Sequence, residues 1–150
     1  RLDMVPVTVA REVDGKQGTL QFLPEHTQTE AARSTSGRGG SARCPLPRQW
    51  NSVYVFDALV YNEGRAPTSM VYDTVDWQLM LMGHPNAFGT RSGRPPYLAN
   101  VELDITGTWV AALTSLSDDV LKEQLGDLLD KRRITALGKR RDLLLSEARD

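Results

Sequence analysis

Two basic triplets, Lys131-Arg132-Arg133 and Lys139-Arg140-Arg141, are the densest charge in this 150-residue chain. Ammonium and guanidinium groups in such numbers suit phosphate, to which they donate charge-assisted hydrogen bonds. The triplets stand eight residues apart, about 80° from alignment on a helix, so they share part of one face. Spread along a surface, that chemistry gives salt-sensitive binding to nucleic acid or to an anionic membrane. Residues 117–150, however, hold eight acids and eight bases. Asp127, Asp130, Asp142 and Glu147 stand at helical spacings for local pairing. A solvated, self-paired face is the favoured reading, with all six basic residues kept as candidates for an interaction surface.

Other chemistry-bearing residues are sparse. Asp73 and Asp76 form a pair of carboxylates that could do acid–base work, but they fall in a turn-like run, where Asp bonds its own backbone. His26 and His84 are the only histidines, neither has Cys or His at metal-ligand spacing, and no nucleophile motif accompanies them. Gly37-Arg38-Gly39-Gly40-Ser41 lacks the Gly-Lys-Ser/Thr ending of a phosphate loop. Arg33, Arg38, Arg43 and Arg48 surround it without interleaved aromatics and read as a solvated loop. Cys44 is the single cysteine; it can form no internal disulfide and points to a reducing, cytoplasmic setting.

The elements that must position these residues follow from apolar spacing. Residues 4–9 and 19–23 flank Asp14-Gly15-Lys16-Gln17-Gly18 and predict a β-hairpin, with Pro6 at its edge or start. A short helix is expected over 24–33, with Pro24 in its first turn. Residues 34–47, rich in Ser, Gly, Arg and Pro, read as a flexible insert. Trp50, Val53, Tyr54, Phe56, Leu59 and Val60 recur at threes and fours and predict a mostly buried helix over 48–62. A turn at 62–67 leads into a second hairpin, 70–72 with 77–82, around Asp73–Asp76. Residues 83–100 read as irregular. Helices are expected at 105–115, from a Ser117 cap through Asp118-Asp119 with Leu121, Leu125, Leu128 and Leu129 as its apolar side and Gly126 weakening its middle or ending its first piece, and from about 130 to 148.

Composition narrows the class. A hydrophobic fraction of 40% and a net charge of -1 fit a folded domain and argue against a general polyanion binder. No apolar run approaches the roughly 20 residues that span a bilayer. The fold class expected is α+β, with two β-hairpins and a mainly helical C-terminal third.

The order of these segments resembles the C-terminal part of bacterial kinase-like proteins of the HipA and phosphatidylinositol 3/4-kinase group. Residues 2–9 with 14–21 resemble that family's first hairpin. Phe56-Asp57-Ala58-Leu59-Val60-Tyr61-Asn62 resembles the helix leading to its catalytic loop. Trp77-Gln78-Leu79-Met80-Leu81-Met82 resembles the strand before its metal-binding acid, and residues 134–142 a frequent C-terminal helix. The resemblance spans most of the chain except an insert at 24–47. It implies a single, incomplete kinase-like domain over 1–150, a C-terminal lobe that opens at Arg1 without an initiator Met.

The departures fall at the chemical positions. Where the family has Asp-Arg-Asn-x-x-Asn, this chain has Gly64-Arg65-Ala66-Pro67-Thr68-Ser69. Where it has Ile-Asp-His-x-x-Ala-Phe, this chain has Met82-Gly83-His84-Pro85-Asn86-Ala87-Phe88. Phosphoryl transfer needs metal ions held by hard oxygen ligands and a group that orients the nucleophile. Gly64 and Gly83 carry no side-chain oxygen, and Ser69 is a weak ligand. The resemblance therefore implies a pseudokinase that acts through binding, with no cofactor. Its partner would be another protein or a missing N-terminal lobe. The alternatives are a residual phosphotransferase using ATP and Mg²⁺, with Arg65, His84, Asp73 and Asp76 as phosphate-binding candidates, and a basic-helix interaction module.

Overall fold

The computed structural model describes residues 4–40 and 45–148; Arg43, Cys44 and the first residues of the family-like hairpin motif lie outside them. The chain is α+β, with two small antiparallel sheets and a largely helical C-terminal region. It divides into two compact units, Arg1–Gln49 with Arg65–Gly83, and Trp50–Gly64 with His84–Asp150.

The first unit opens with strands β1 (Thr8–Val13) and β2 (Lys16–Gln21), paired antiparallel with Val13 opposite Lys16. The turn is tighter than the five-residue run suggested. Asp14 and Gly15 alone make it, with φ of 51° and 74°, the left-handed pair that matches the twist of a two-residue hairpin. Register makes the ribbon amphipathic. Val7, Val9, Val13, Leu20 and Phe22 share one face, while Thr8, Gln21, Glu12 and Gln17 share the other. Gln17 Nε2 donates to Glu12 at 2.6 Å and Gln21 Nε2 to Thr8 at 3.0 Å across the polar face. The apolar face stays exposed.

The second sheet, in order β3-β4-β5, joins β3 (Thr27–Thr29), β4 (Met70–Asp73) and β5 (Leu79–Leu81). Pairing Thr27 with Asp73 and Thr29 with Val71 corrects the expected 24–33 helix. Residues 27–29 within it form an edge strand, because their backbone groups gain partners from β4 there. The helix α1 (Glu30–Ser36) starts only after Thr29, whose hydroxyl accepts from Ala32 N at 3.2 Å. So the presumed insert retains the end of one helix, closed by left-handed Gly37, and the start of the next. The far edge of this sheet is satisfied by a side chain. Gln49 donates to Trp77 O at 2.8 Å and accepts from Leu79 N at 2.6 Å. Beneath it, Glu30 accepts from Tyr72 Oη at 2.8 Å and from both Nε and Nη2 of Arg33, at 2.6 and 2.8 Å. Arg33, read from the sequence as part of a solvated loop, is instead engaged inside its own unit. Those bonds, with Arg33 first, hold the Glu30 carboxyl below the usual range against burial.

Helix α2 (Leu46–Val60) supplies its first turn, Leu46 to Gln49, to the first unit and the rest, from Trp50, to the second. It ends on Tyr61, left-handed at φ 55°, with Asn62 N donating back to Asp57 O at 3.0 Å, a Schellman closure in which glycine is usual. In the second unit α2 packs with α3 (Gly107–Ser115), α4 (Asp118–Leu125) and α5 (Lys131–Glu147) around Val55, Ala58, Leu59, Leu98, Trp109, Leu113, Leu121, Leu137 and Leu144. Ser117 caps α4 through Val120 N at 3.2 Å, and Asp130 caps α5 through Arg133 N at 3.0 Å, each filling an orphan donor of a helix start. Among the described residues no helix is long and apolar enough to cross a membrane.

Candidate functional site

In the first unit, Arg65 leads into the 3-10 turn Pro67–Ser69. The Ser69 hydroxyl donates to Ala66 O at 2.9 Å, and Ser69 O accepts from Met82 N at 2.9 Å. Its oxygen therefore serves the turn before any ligand. Asp73 and Asp76 bracket the β4–β5 turn. Asp73 Oδ1 accepts from Val75 N and Asp76 Oδ1 from Gln78 N, both at 2.9 Å. These are self-closing Asx turns, the local bonding that makes Asp common at such positions. Gly83 is exposed and left-handed at φ 60°, with open space where a Cβ would stand.

Gly64 and His84 belong to the second unit. A Cβ on Gly64 would meet only Asn86 Nδ2, at 3.5 Å, an ordinary contact. The His84 ring lies edge-on to Phe56, with centroids 5.5 Å apart. Glu63, beside Gly64, takes a hydrogen bond from Arg91 at 3.3 Å. Among the described residues no group of three or more His, Cys, Asp or Glu side chains is placed to hold a metal ion.

The basic triplets part company. Lys131, Arg132, Arg133 and Lys139 are exposed, but Arg140 and Arg141 are buried, at 1% and 8% relative exposure. This corrects the expectation of one solvated basic face and withdraws Arg140 and Arg141 from an interaction surface. Both follow the buried stripe Ala136, Leu137 and Leu144 of α5, and both meet carbonyls that need donors. Arg140 Nε donates to Leu59 O at 2.6 Å, and its Nη1 donates to Gly89 O at 3.1 Å and also to Arg91 O. Its guanidinium lies 5.6 Å from the Tyr61 ring centroid, an attractive cation–π arrangement. No carboxylate pairs with it among the described residues, and its Nη2 has no partner. Burial pulls its pKa down to about 10, opposed by Tyr61, so the cation persists at neutral pH.

Arg141 is handled differently. It donates to Leu116 O, and its Nη2 reaches Asp118 at 2.9 Å and Asp142 at 2.8 Å. Burial pulls its pKa down, but the bonds to Asp142 and Asp118 outweigh that and raise it. Of the acids expected to pair at helical spacing, Asp130 does so, 3.5 Å from Arg133; Asp142 is bonded instead by its sequence neighbour Arg141, and Glu147 pairs with Arg94.

Lys131, Arg132 and Lys139 converge with Thr90, Ser92 and Thr135 on an open cavity of about 530 Å³. The hydroxyls were missed because residues 83–100 offer breakers but no motif. The signal present was two hydroxyl residues, Thr90 and Ser92, beside glycines. No protein-family model matches this chain, and no curated protein matches it either.

Proposed function

We propose that this chain is a degenerate kinase-like domain, a pseudokinase that works by binding another protein or a separately supplied nucleotide-contacting lobe. The observation that carries the reading is that the altered positions carry no carboxylate and the acids closest to them in sequence are already bonded. Gly64, Ser69 and Gly83 stand where the resemblance places an Asp, an Asn and a second Asp. Glu63, Asp73 and Asp76 are the acids closest in sequence, and Asp73 and Asp76 stand at the β4–β5 turn, the opposite end of that hairpin from Ser69 and Gly83. Each is already bonded, to Arg91, to Val75 N and to Gln78 N respectively. Phosphoryl transfer depends on electrostatic stabilisation by correctly held metal ions, and carboxylates engaged in turns are poor replacements for missing ligands. On this reading Arg65 and His84 are remnants of the loop framework, and the chain acts without a cofactor.

The test is a Mg²⁺-dependent phosphotransfer assay with ATP on the full chain beside the Gly64→Asp/Gly83→Asp variant. Both substitutions have room for a Cβ, and Asp is among the residues that best tolerate the left-handed region. The unmodified chain is expected to give no transfer above a metal-free control. Robust metal-dependent turnover by the unmodified chain sinks the proposal in favour of a residual phosphotransferase.

A further inference from the structure

We propose that the cavity between the first turns of α5 and the loop at 90–92 binds a small molecule carrying two or more phosphoryl groups. The site lies wholly within the second unit and does not depend on the kinase-like reading. Three cations line it, Lys131, Arg132 and Lys139, with hydroxyls from Thr90, Ser92 and Thr135, and no carboxylate is among its lining groups. None of the three cations makes an ion pair among the described residues.

The nearby acids are already engaged. An adjoining cavity shares Lys131, Thr135 and Lys139 and adds Asp118 and Asp142. Both of those carboxylates accept from Arg141 Nη2, at 2.9 and 2.8 Å. Asp130 caps Arg133 N and lies 3.5 Å from the Arg133 guanidinium. The lining of this cavity itself thus holds three cations and no carboxylate, like charges whose repulsion a bound polyanion relieves.

Arg140 prepares the opposite wall and is a positioning residue. By holding the carbonyls of Gly89 and Arg91 inward, it fixes the backbone on either side of Thr90 and next to Ser92. Thr135 donates its proton to Lys131 O at 2.8 Å, so Thr90 and Ser92 supply the hydroxyl donors. A site whose groups are already placed loses less freedom when it binds.

Size and shape favour a compact ligand. About 530 Å³ falls within the usual range of roughly 300–1,000 Å³ for small-molecule sites. A nucleic-acid strand would need the basic stripe to continue, and it stops where Arg140 and Arg141 turn inward.

The test is calorimetric titration of the full chain, without divalent metal, with inorganic tripolyphosphate, inorganic phosphate and single-stranded oligonucleotides of increasing length. Tripolyphosphate is expected to bind one per chain, at least about tenfold tighter than phosphate. Arg132→Gln and Lys139→Gln should each weaken it by about tenfold, the scale of one charge-assisted hydrogen bond. Arg133→Gln, outside the cavity, should leave it within about twofold. Gly64→Asp/Gly83→Asp should also leave it unchanged, which separates this site from the kinase-like reading. The proposal is overturned by no tripolyphosphate binding at millimolar concentration, by full binding in the Arg132→Gln/Lys139→Gln chain, or by oligonucleotide affinity that rises with length.

Discussion

Lys131-Arg132-Arg133 and Lys139-Arg140-Arg141 repeat one pattern on one helix and meet opposite surroundings. The first triplet remains in solvent, where Arg133 pairs with Asp130 at 3.5 Å. The second sends two of its three side chains inward. Helical phase alone does not separate them, since Arg133 stands three and four residues before Ala136 and Leu137, on the line that leads to Arg140 and Arg141. What differs is the opposing surface. Arg140 meets the carbonyls of Leu59, Gly89 and Arg91, and Arg141 meets Leu116 O and two carboxylates. A basic run is therefore not a basic face; unsatisfied acceptors elsewhere decide which of its members stay outside.

The sharpest way to break this contrast is to remove Arg140. Arg140→Met leaves three carbonyls without their donor and should cost about 3–5 kcal/mol, read from urea unfolding followed by circular dichroism. Arg133→Met should cost under about 0.5 kcal/mol, and equal losses would erase the distinction. Arg141→Met is expected in between, at about 1.5–3 kcal/mol by the same measurement, because its bonds are charged but partly reach exposed acids.

Acid sharpens the comparison further. A buried cation held by carbonyls has no carboxylate to protonate, so Arg140 adds nothing to acid sensitivity. The Glu30–Arg33–Tyr72 cluster is the opposite case. The folded pKa of Glu30 is lowered, so its contribution is present above the ordinary Glu value of about 4.3 and is lost as pH falls through the folded value. Glu30→Gln should cost about 1–2 kcal/mol at neutral pH and flatten the fall in urea midpoint between neutral pH and about pH 3. An unchanged slope would remove Glu30 from the acid response. The smallest effect belongs to the exposed triplet: Lys131→Ala and Arg132→Ala should stay within about 0.5 kcal/mol of the parent in thermal melts.

Legibility in the sequence follows the range of the interactions involved. The Gly-containing turn at Asp14-Gly15, the threes and fours between Trp50 and Val60, and the cap at Ser117 are local signals, and the structure follows them, with a shorter turn than the five-residue run suggested. The failures are long-range. Strand β3 has three residues and exists because β4, more than forty positions away, pairs with it. Gln49 serves a strand edge that no motif announces. Arg140 is buried because carbonyls from two distant segments face it, and backbone acceptors leave no trace in residue type. Of the candidate site, the cations were visible as a run, whereas the hydroxyls opposite them became meaningful only once the chain had folded.

The ribbon β1–β2 carries a last consequence, one of time. Its two-residue turn brings the strands together across the shortest possible loop, and such hairpins form within about 1–10 µs. Yet a two-stranded ribbon with an exposed apolar face gains little burial to hold it shut. It should close early and reopen often, exchanging its amide hydrogens long before those of α2 and α5. The segment written most clearly in the sequence is thus the one that persists most briefly in any single folded interval.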